Sequence, residues 1–297
     1  MSRPALSALR ALEIVDLMAG QPAETFTLSD IVRLTGTNAS SCHAILNVLM
    51  QRGYLLRDPE RKTYWLAPAV VAIGEAAARH DPLLTQARRV AQDWALASGR
   101  ETLLTARAGS DIIGVARFAG LGGKAASLRV GQRVPLRAPL GGLFFAWSED
   151  DDAAAWCAPD GPSTSQAARE AHEGALALLR ERGFLVSLRS AEHGAFTRHL
   201  VESQGDGIEE GRLAMLLAAM DNGLYQPEAI DADQEYWVQN LSAPIFDRHG
   251  RVIYNIGVSY SEAPIKGRQL QRDALALVET CNESWADNRN MEVGVGL

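Results

Sequence analysis

The sequence predicts an α+β protein of two parts, a winged helix-turn-helix followed by an antiparallel sheet flanked by helices. The first part is indicated by residues 27–66, where two capped helices and a hairpin follow one another in that order. The second is indicated by a change of apolar spacing near residue 100, from the helical period to strand-like alternation. A length of 297 residues fits two domains.

Short polar and glycine signals set the ends of the two helices. Thr27 is the predicted N-cap of the first helix, and Asp30 occupies the third position of a capping box. Gly36 ends that helix, and Asn38 caps a second one over 39–51. The apolar positions of the second helix follow helical spacing: Cys42, Ile45, Leu46 and Leu49.

The opposite face of the second helix is small and polar, which suits the DNA major groove. A hairpin follows, and the basic turn over 58–62 can contact phosphates or enter a minor groove. We therefore expect a double-stranded DNA operator as partner. The expected DNA contacts are Ser40, Ser41, His43 and Asn47 on the helix and Arg57, Arg61, Lys62 and Thr63 on the hairpin.

The order and spacing of several motifs resemble the IclR family of bacterial transcriptional regulators. Besides the segment above, the motifs are Leu9-Arg10-Ala11-Leu12-Glu13-Ile14, Leu128 to Leu136, Glu181-Arg182-Gly183-Phe184 and Ala243 to Val252. The resemblance covers nearly the whole chain except roughly 189–236. It implies that the second part is a GAF-like domain that binds a small organic effector.

The second helix departs from the family pattern. Relatives commonly have Lys-Ser-Thr-Val-His-Arg where this chain has 39–44, so basic residues are replaced by Ala39 and Ala44. A competing class therefore stays open: an enzyme or small-molecule-binding protein whose N-terminal domain has lost DNA affinity.

The resemblance places an effector pocket between the sheet and the segment after residue 136. The family often shows His-Ala-Thr-Ala-x-Gly-Lys over 137–143, and its lysine is Leu143 here; its frequent cysteine on the facing strand is Asn240. Asn240 and Ser242 alternate, so both face one side of that strand. The expected effector contacts are Arg137, Ala138, Leu140, Gly141, Asn240, Ser242 and Ser259.

The predicted organisation has three parts: a DNA-binding domain over 1–68, a linker helix over 69–80, and an effector-binding domain over 81–297. The last contains an insertion at about 189–236, whose predicted helix over 209–222 is expected to act as a lid or an interface. Further helices are predicted over 7–18, 83–98, 136–147, 148–157, 163–182 and 264–290, and strands over 101–106, 112–118, 184–188, 237–246 and 252–259.

Charge and composition restrict the function classes. The net charge is −7, but residues 1–68 carry seven basic and six acidic side chains, so the acidity belongs to the rest of the chain. Such a balance predicts modest non-specific DNA affinity and docking as a homodimer or dimer of dimers. Three dispersed cysteines and the lack of a long apolar run predict a reduced, cytoplasmic protein without a membrane partner.

No catalytic or cofactor-binding constellation is evident in the sequence. His193 and His199 beside Glu192 form the only local histidine cluster, and ordinary surface or core roles are the expected explanation. The glycines at 120–123 lack the lysine of a phosphate-binding loop. We therefore expect no metal site, no cofactor and no enzymatic activity.

Overall fold

The computed structural model describes residues 5–120, 128–202, 215–216, 219, 226–260 and 263–292. These residues form two compact units, one extending through Asp81 and the other beginning at Pro82, and the short loop Arg129–Gln132 groups with the first. None of the helices within these ranges combines the length and apolar character needed to cross a lipid bilayer.

The first unit is a small helical core closed by a three-stranded sheet. Its elements are α1 (Leu6–Ala19), β1 (Phe26–Thr27), α2 (Leu28–Thr35), α3 (Ala39–Gln51), β2 (Leu55–Arg57), β3 (Thr63–Leu66) and α4 (Ala69–His80). The helices and the hairpin confirm the predicted winged helix-turn-helix. Strand β1 was not predicted: it pairs with β3, so the sheet order is β1-β3-β2.

The predicted caps fix the boundaries of α2 and α3. Thr27 Oγ1 accepts a hydrogen bond from the Asp30 amide at 3.2 Å, while Asp30 Oδ2 accepts one from the Thr27 amide at 2.9 Å. Gly36 ends α2 in a left-handed conformation with φ of 63°, which a residue without Cβ adopts at little cost. Asn38 Oδ1 then accepts from the Ser41 amide at 2.9 Å, so α3 starts only three residues after the turn glycine.

Removal of the capping hydroxyl should loosen α2 in a pH-dependent way. Thr27→Ala is expected to cost about 1 kcal/mol, so α2 amides should exchange hydrogen about fivefold faster in the full-length protein. Hydrogen bonds from Thr27 lower the pKa of Asp30. A lowered pKa means that this stabilisation is complete above the unfolded value, about 3.9, and is lost as pH falls through the folded value. Thr27→Ser keeps the hydroxyl, and equal exchange in both variants would contradict the capping role.

The second unit is built on a six-stranded antiparallel sheet. Its elements are α5 (Pro82–Ser98), β4 (Thr102–Ala108), β5 (Asp111–Phe118), β6 (Arg133–Pro135), α6 (Gly142–Phe145), α7 (Asp150–Cys157), α8 (Gln166–Arg182), β7 (Leu185–Leu188), α9 (Ala191–Glu202), β8 (Glu235–Tyr236), β9 (Val238–Phe246), β10 (Val252–Ser259), β11 (Ile265–Lys266) and α10 (Gly267–Glu292). The strand order in the sheet is β6-β5-β4-β10-β9-β7.

The two faces of this sheet are covered by different helices. On one face α5 and α10 pack with the strands around a core that includes the fully buried Leu241, Ile256 and Leu270. On the other face α6 packs on β10 and β9 and is backed by α7 and α8. A second apolar cluster there includes Phe144, Trp156 and Leu179. This arrangement confirms the predicted α+β class.

The helix predicted over 136–147 is wrong in most of its length, since only Gly142–Phe145 is helical. Pro139 lacks an amide hydrogen, and Gly141 adopts a left-handed φ of 78°. Gly141 also lies against the Leu136 side chain, which an added Cβ would displace. The backbone at Pro139 and Gly141 has overridden the apolar spacing.

Several short elements were absent from the prediction. They are β6, the helix α9, and the ribbon in which Ile265 and Lys266 pair with Tyr236 and Glu235. This ribbon delays the start of the closing helix to Gly267. The helix predicted over 209–222 lies mostly outside the described residues; Met215, Leu216 and Ala219 are described and are helical.

Candidate nucleic-acid interface and effector site

The outward side of α3 brings together most of the predicted helix contacts. Cys42, Leu46 and Leu49 are buried in the core of the first unit. Ser40 and His43 are exposed on the other side, where Asn47 Nδ2 lies 3.3 Å from His43 Nδ1. Ser41 is only partly exposed, and its amide donates to the Asn38 cap. The helix thus presents hydroxyl, imidazole and amide groups that suit base edges.

The hairpin between β2 and β3, which we call the wing, has a tightly bonded tip. Asp58 Oδ1 accepts hydrogen bonds from the amides of Glu60 at 2.8 Å and Arg61 at 3.0 Å, and these bonds lower the pKa of Asp58. Lys62 adopts a φ of 56° and donates its amide to the Asp58 carbonyl at 2.9 Å. The turn therefore projects the side chains of Arg61 and Lys62 into solvent.

The remaining wing residues differ in their accessibility. The Arg57 guanidinium lies 5.5 Å from the centroid of the Tyr64 ring, which steadies an otherwise exposed cation. Thr63 is partly buried where it pairs with Thr27, so it is the least accessible of the predicted wing contacts. Arg52 lies directly after α3 and is exposed, but it is not among the predicted DNA contacts. Its position could have indicated it, because a cation is favoured at the C-terminus of a helix.

A capped helix, a short glycine turn, a polar-faced second helix and a cationic wing together define a winged helix-turn-helix DNA-binding protein. Residues 7–59 match the IclR helix-turn-helix domain. The chain therefore carries the DNA-binding domain typical of IclR-type transcriptional regulators.

Two proteins of similar sequence are transcriptional regulators. The chain is 28% identical over 193 residues to the HTH-type transcriptional regulator XynR of Escherichia coli, covering 63% of this chain and 76% of XynR. It is 22% identical over 262 residues to the DNA-binding transcriptional repressor YiaJ of Escherichia coli, covering 88% and 79% of the two chains. Both relatives are named as regulators, not as enzymes.

Solved structures show the same fold. An IclR transcriptional regulator from Alicyclobacillus acidocaldarius matches with a TM-score of 0.68 at 19% identity, covering 96% of this chain and 99% of the other. An IclR homologue from Microbacterium hydrocarbonoxydans, in complex with 4-hydroxybenzoate, matches with a TM-score of 0.56 at 17% identity, covering 93% and 98%.

Four predicted effector contacts follow β6 at one edge of the large sheet. Each is buried or contacts a neighbouring residue. Arg137 Nη2 lies 2.8 Å from both carboxylate oxygens of Asp160. Ala138 is buried, and the Leu140 carbonyl accepts a hydrogen bond from Trp156 Nε1 at 2.8 Å. Gly141 lies against Leu136. These contacts make the segment a packed wall with one solvent-accessible cation.

The other three predicted effector contacts lie together on β9 and β10. Asn240 donates a hydrogen bond from Nδ2 to Ser242 Oγ, and Ser259 is the register partner of Asn240. Both Asn240 and Ser242 border Gly257, where an added Cβ would be 3.2–3.3 Å from their polar atoms. These polar groups therefore pack directly on the bare backbone of Gly257, where a larger residue would be tight.

Neighbouring strands add polar residues to the same face, and these were not predicted. Ser187 lies opposite Asn240, and Thr105 lies opposite Asn255. Asn255 Oδ1 is buried with no hydrogen-bond partner among the described residues. We call the set Thr105, Ser187, Asn240, Ser242 and Asn255 the polar strip. The alternation within each strand could have indicated these residues, but only the strand order shows that they are neighbours.

The two groups of predicted effector contacts are not joined by any hydrogen bond within the described ranges. Strands β6 and β9 are four positions apart in the sheet, or roughly 19 Å if the sheet were flat. The segment after β6 nevertheless leads into α6, which packs on β10 and β9, so it returns toward the strands that carry the second group.

An open cleft of about 1000 Å³ lies elsewhere in the second unit, at the β9–β10 hairpin. Arg107, Trp147, Asp152, His249 and Arg251 are among its lining residues, and none of the seven predicted effector contacts is. Its cations are already engaged, since Arg107 lies 3.8 Å from Asp152 and Arg251 lies 2.7 Å from Asp247. The cleft is therefore distinct from the polar strip and close to charge-balanced.

Metal binding and thiol chemistry find no support in the described part of the chain. No group of three histidine, cysteine or acidic side chains there is arranged to hold a metal ion. The His193 side chain, part of the cluster noted in the sequence, lies outside this description. Cys42, Cys157 and Cys281 are buried, and burial raises the pKa of the Cys281 thiol to about 12.

Proposed function

We propose that this regulator binds operator DNA through its first unit and that a small organic effector, bound by the second unit, modulates that binding. The proposed DNA-binding domain spans 1–68, the linker helix 69–80 and the effector-binding domain 81–297. The observation that carries the proposal is the pairing of a polar outward face on α3 with a cationic wing, in a chain whose other unit holds a largely buried polar strip.

The proposed DNA contacts divide by chemistry. Ser40, Ser41, His43 and Asn47 would meet base edges, and the Asn47 amide is suited to the N6 and N7 atoms of adenine. Arg57, Arg61, Lys62 and Thr63 would contact the sugar-phosphate backbone, which positions the head without selecting sequence. The tight tip held by Asp58 supports this division, because it keeps Arg61 and Lys62 extended.

The proposed effector contacts centre on Asn240, Ser242 and Ser259, with Arg137, Ala138, Leu140 and Gly141 as a second wall. A buried acceptor without a partner is costly in a folded core, and a ligand donor to Asn255 Oδ1 would satisfy it. The ligand of the Microbacterium homologue, 4-hydroxybenzoate, supports a compound of that size class. Binding would shift the population of DNA-competent arrangements.

Exposed apolar helices support a homodimer or a dimer of dimers. Helix α4 contains no buried residue, and its Val71 and Ile73 are 65% and 49% exposed. Helix α1 exposes Leu6, Leu9 and Leu12 in the same unit. Apolar surface of this extent marks an interaction face, and two heads are needed because one contacts too few base pairs for specificity.

Ser242→Ala is expected to weaken effector binding about tenfold while leaving DNA affinity without effector unchanged, because one buried hydrogen bond is lost. In the test, full-length protein bound to DNA is titrated with hydroxylated carboxylates, starting with 4-hydroxybenzoate. Fluorescence anisotropy of the DNA measures how much protein stays bound. Ser163→Ala, at an exposed serine outside the strip, is the matched control. Equal responses of the two variants would contradict the assignment of the strip, and no response of the parent to any compound would contradict effector control.

A further inference from the structure

Helix α3 carries an apolar pair on its exposed side that the core of the unit does not use. Val48 is 57% exposed and lies one helical turn after Ala44, which is also exposed. The core contacts of this helix come from Cys42, Leu46 and Leu49. A β-branched side chain is a weak helix former, so an exposed valine contributes nothing to the helix itself.

The same helix has no charged side chain between Ala39 and Gln51. The commonest specific contact to guanine is a bidentate bond from arginine or lysine to O6 and N7, and α3 cannot make it. Beside Ser40, Ser41 and His43, the helix offers the Asn47 amide, which pairs with adenine, and apolar contact with the 5-methyl group of thymine. The last two select A·T pairs.

We propose that Ala44 and Val48 contact thymine methyl groups, so that α3 selects A·T pairs by an amide and an apolar pair acting side by side. This inference rests on the proposed DNA binding. It names Val48 as a specificity-determining residue and thymine-containing half-sites as the DNA that the helix prefers.

The experiment removes the methyl groups from the DNA one at a time. Full-length protein selects duplexes from a randomised pool, and each thymine of the recovered duplex is then replaced by deoxyuridine before affinity is measured by anisotropy. At one or two positions of each half-site the affinity of the parent should fall about fourfold, as expected for one buried methyl group. At the position that Val48 contacts, Val48→Ala should bind the methylated and unmethylated duplexes equally, while the sensitivity at the position that Ala44 contacts should remain.

Leu56→Ala is the matched control, since Leu56 is an exposed apolar residue of the same unit at 47% exposure. This variant should keep the fourfold sensitivity of the parent. The inference is overturned if no deoxyuridine position matters, if Val48→Ala keeps the sensitivity at every position, or if Val48→Ala instead changes the oligomeric state in sedimentation. Failure to recover any specific duplex would overturn the proposed DNA binding itself, so the two failures are distinguishable.

Discussion

Replacing the three wing cations, Arg57, Arg61 and Lys62, with alanine is expected to weaken binding to every DNA sequence by a similar factor. Each phosphate contact contributes about 0.9 to the slope of log affinity against log salt, so the triple variant should lose roughly 2.7 units of slope. Arg61→Ala alone should lose about one unit. The measurement is anisotropy with a selected and a scrambled duplex over a series of salt concentrations.

Two variants separate the wing from other effects. Arg79→Ala removes the same charge from the exposed face of α4, outside the wing, and should leave the salt slope unchanged. Asn47→Ala should keep the slope but lose about 1–3 kcal/mol at particular base pairs, because it removes a base contact. If the wing and Asn47 variants both bind like the parent, the docking assignment is wrong.

Leu46→Ala is expected to destabilise the first unit more than any surface change. Leu46 is fully buried with Ile14 and Ile31 in the core of that unit, and truncation of such a leucine costs about 2–5 kcal/mol. A unit of this size has a total stability of about 4–12 kcal/mol, so much of it would be lost. Amides of the first unit should exchange hydrogen at least about 30-fold faster, and DNA affinity should fall.

Gln51→Ala, at an exposed position of the same helix, is the control for the loss of a side chain from α3. Its exchange should match the parent within about twofold, since surface substitutions cost about 0.5 kcal/mol or less. Amides of the second unit should be unaffected by either change. Equal acceleration in both units would contradict the view that each unit has its own core.

The first unit was predictable because its signals are local. Thr27, Asp30, Gly36 and Asn38 act over three residues or fewer, and each fixes a helix end by a hydrogen bond or a backbone angle. Strand β1 escaped prediction for the opposite reason. Two residues cannot show a period, and they become a strand only by pairing with Thr63 and Tyr64 far along the chain.

The second unit was less predictable because its decisive contacts are between distant residues. The spacing over 136–147 favoured a helix, but Pro139 and the left-handed backbone of Gly141 leave only one turn. Alternation within β9 placed Asn240 and Ser242 on one face correctly. Ser187 and Asn255 join them only through the order β10-β9-β7, which no local pattern contains.

Selection of duplex DNA from a random pool by the full-length protein tests the central claim most directly. We predict recovery of a sequence with two symmetric half-sites, bound at least about 1000-fold more tightly than a scrambled duplex at physiological salt. Equal binding of the two duplexes by protein that still binds a small molecule would contradict it. That result would instead favour a ligand-binding protein whose N-terminal domain has lost DNA affinity.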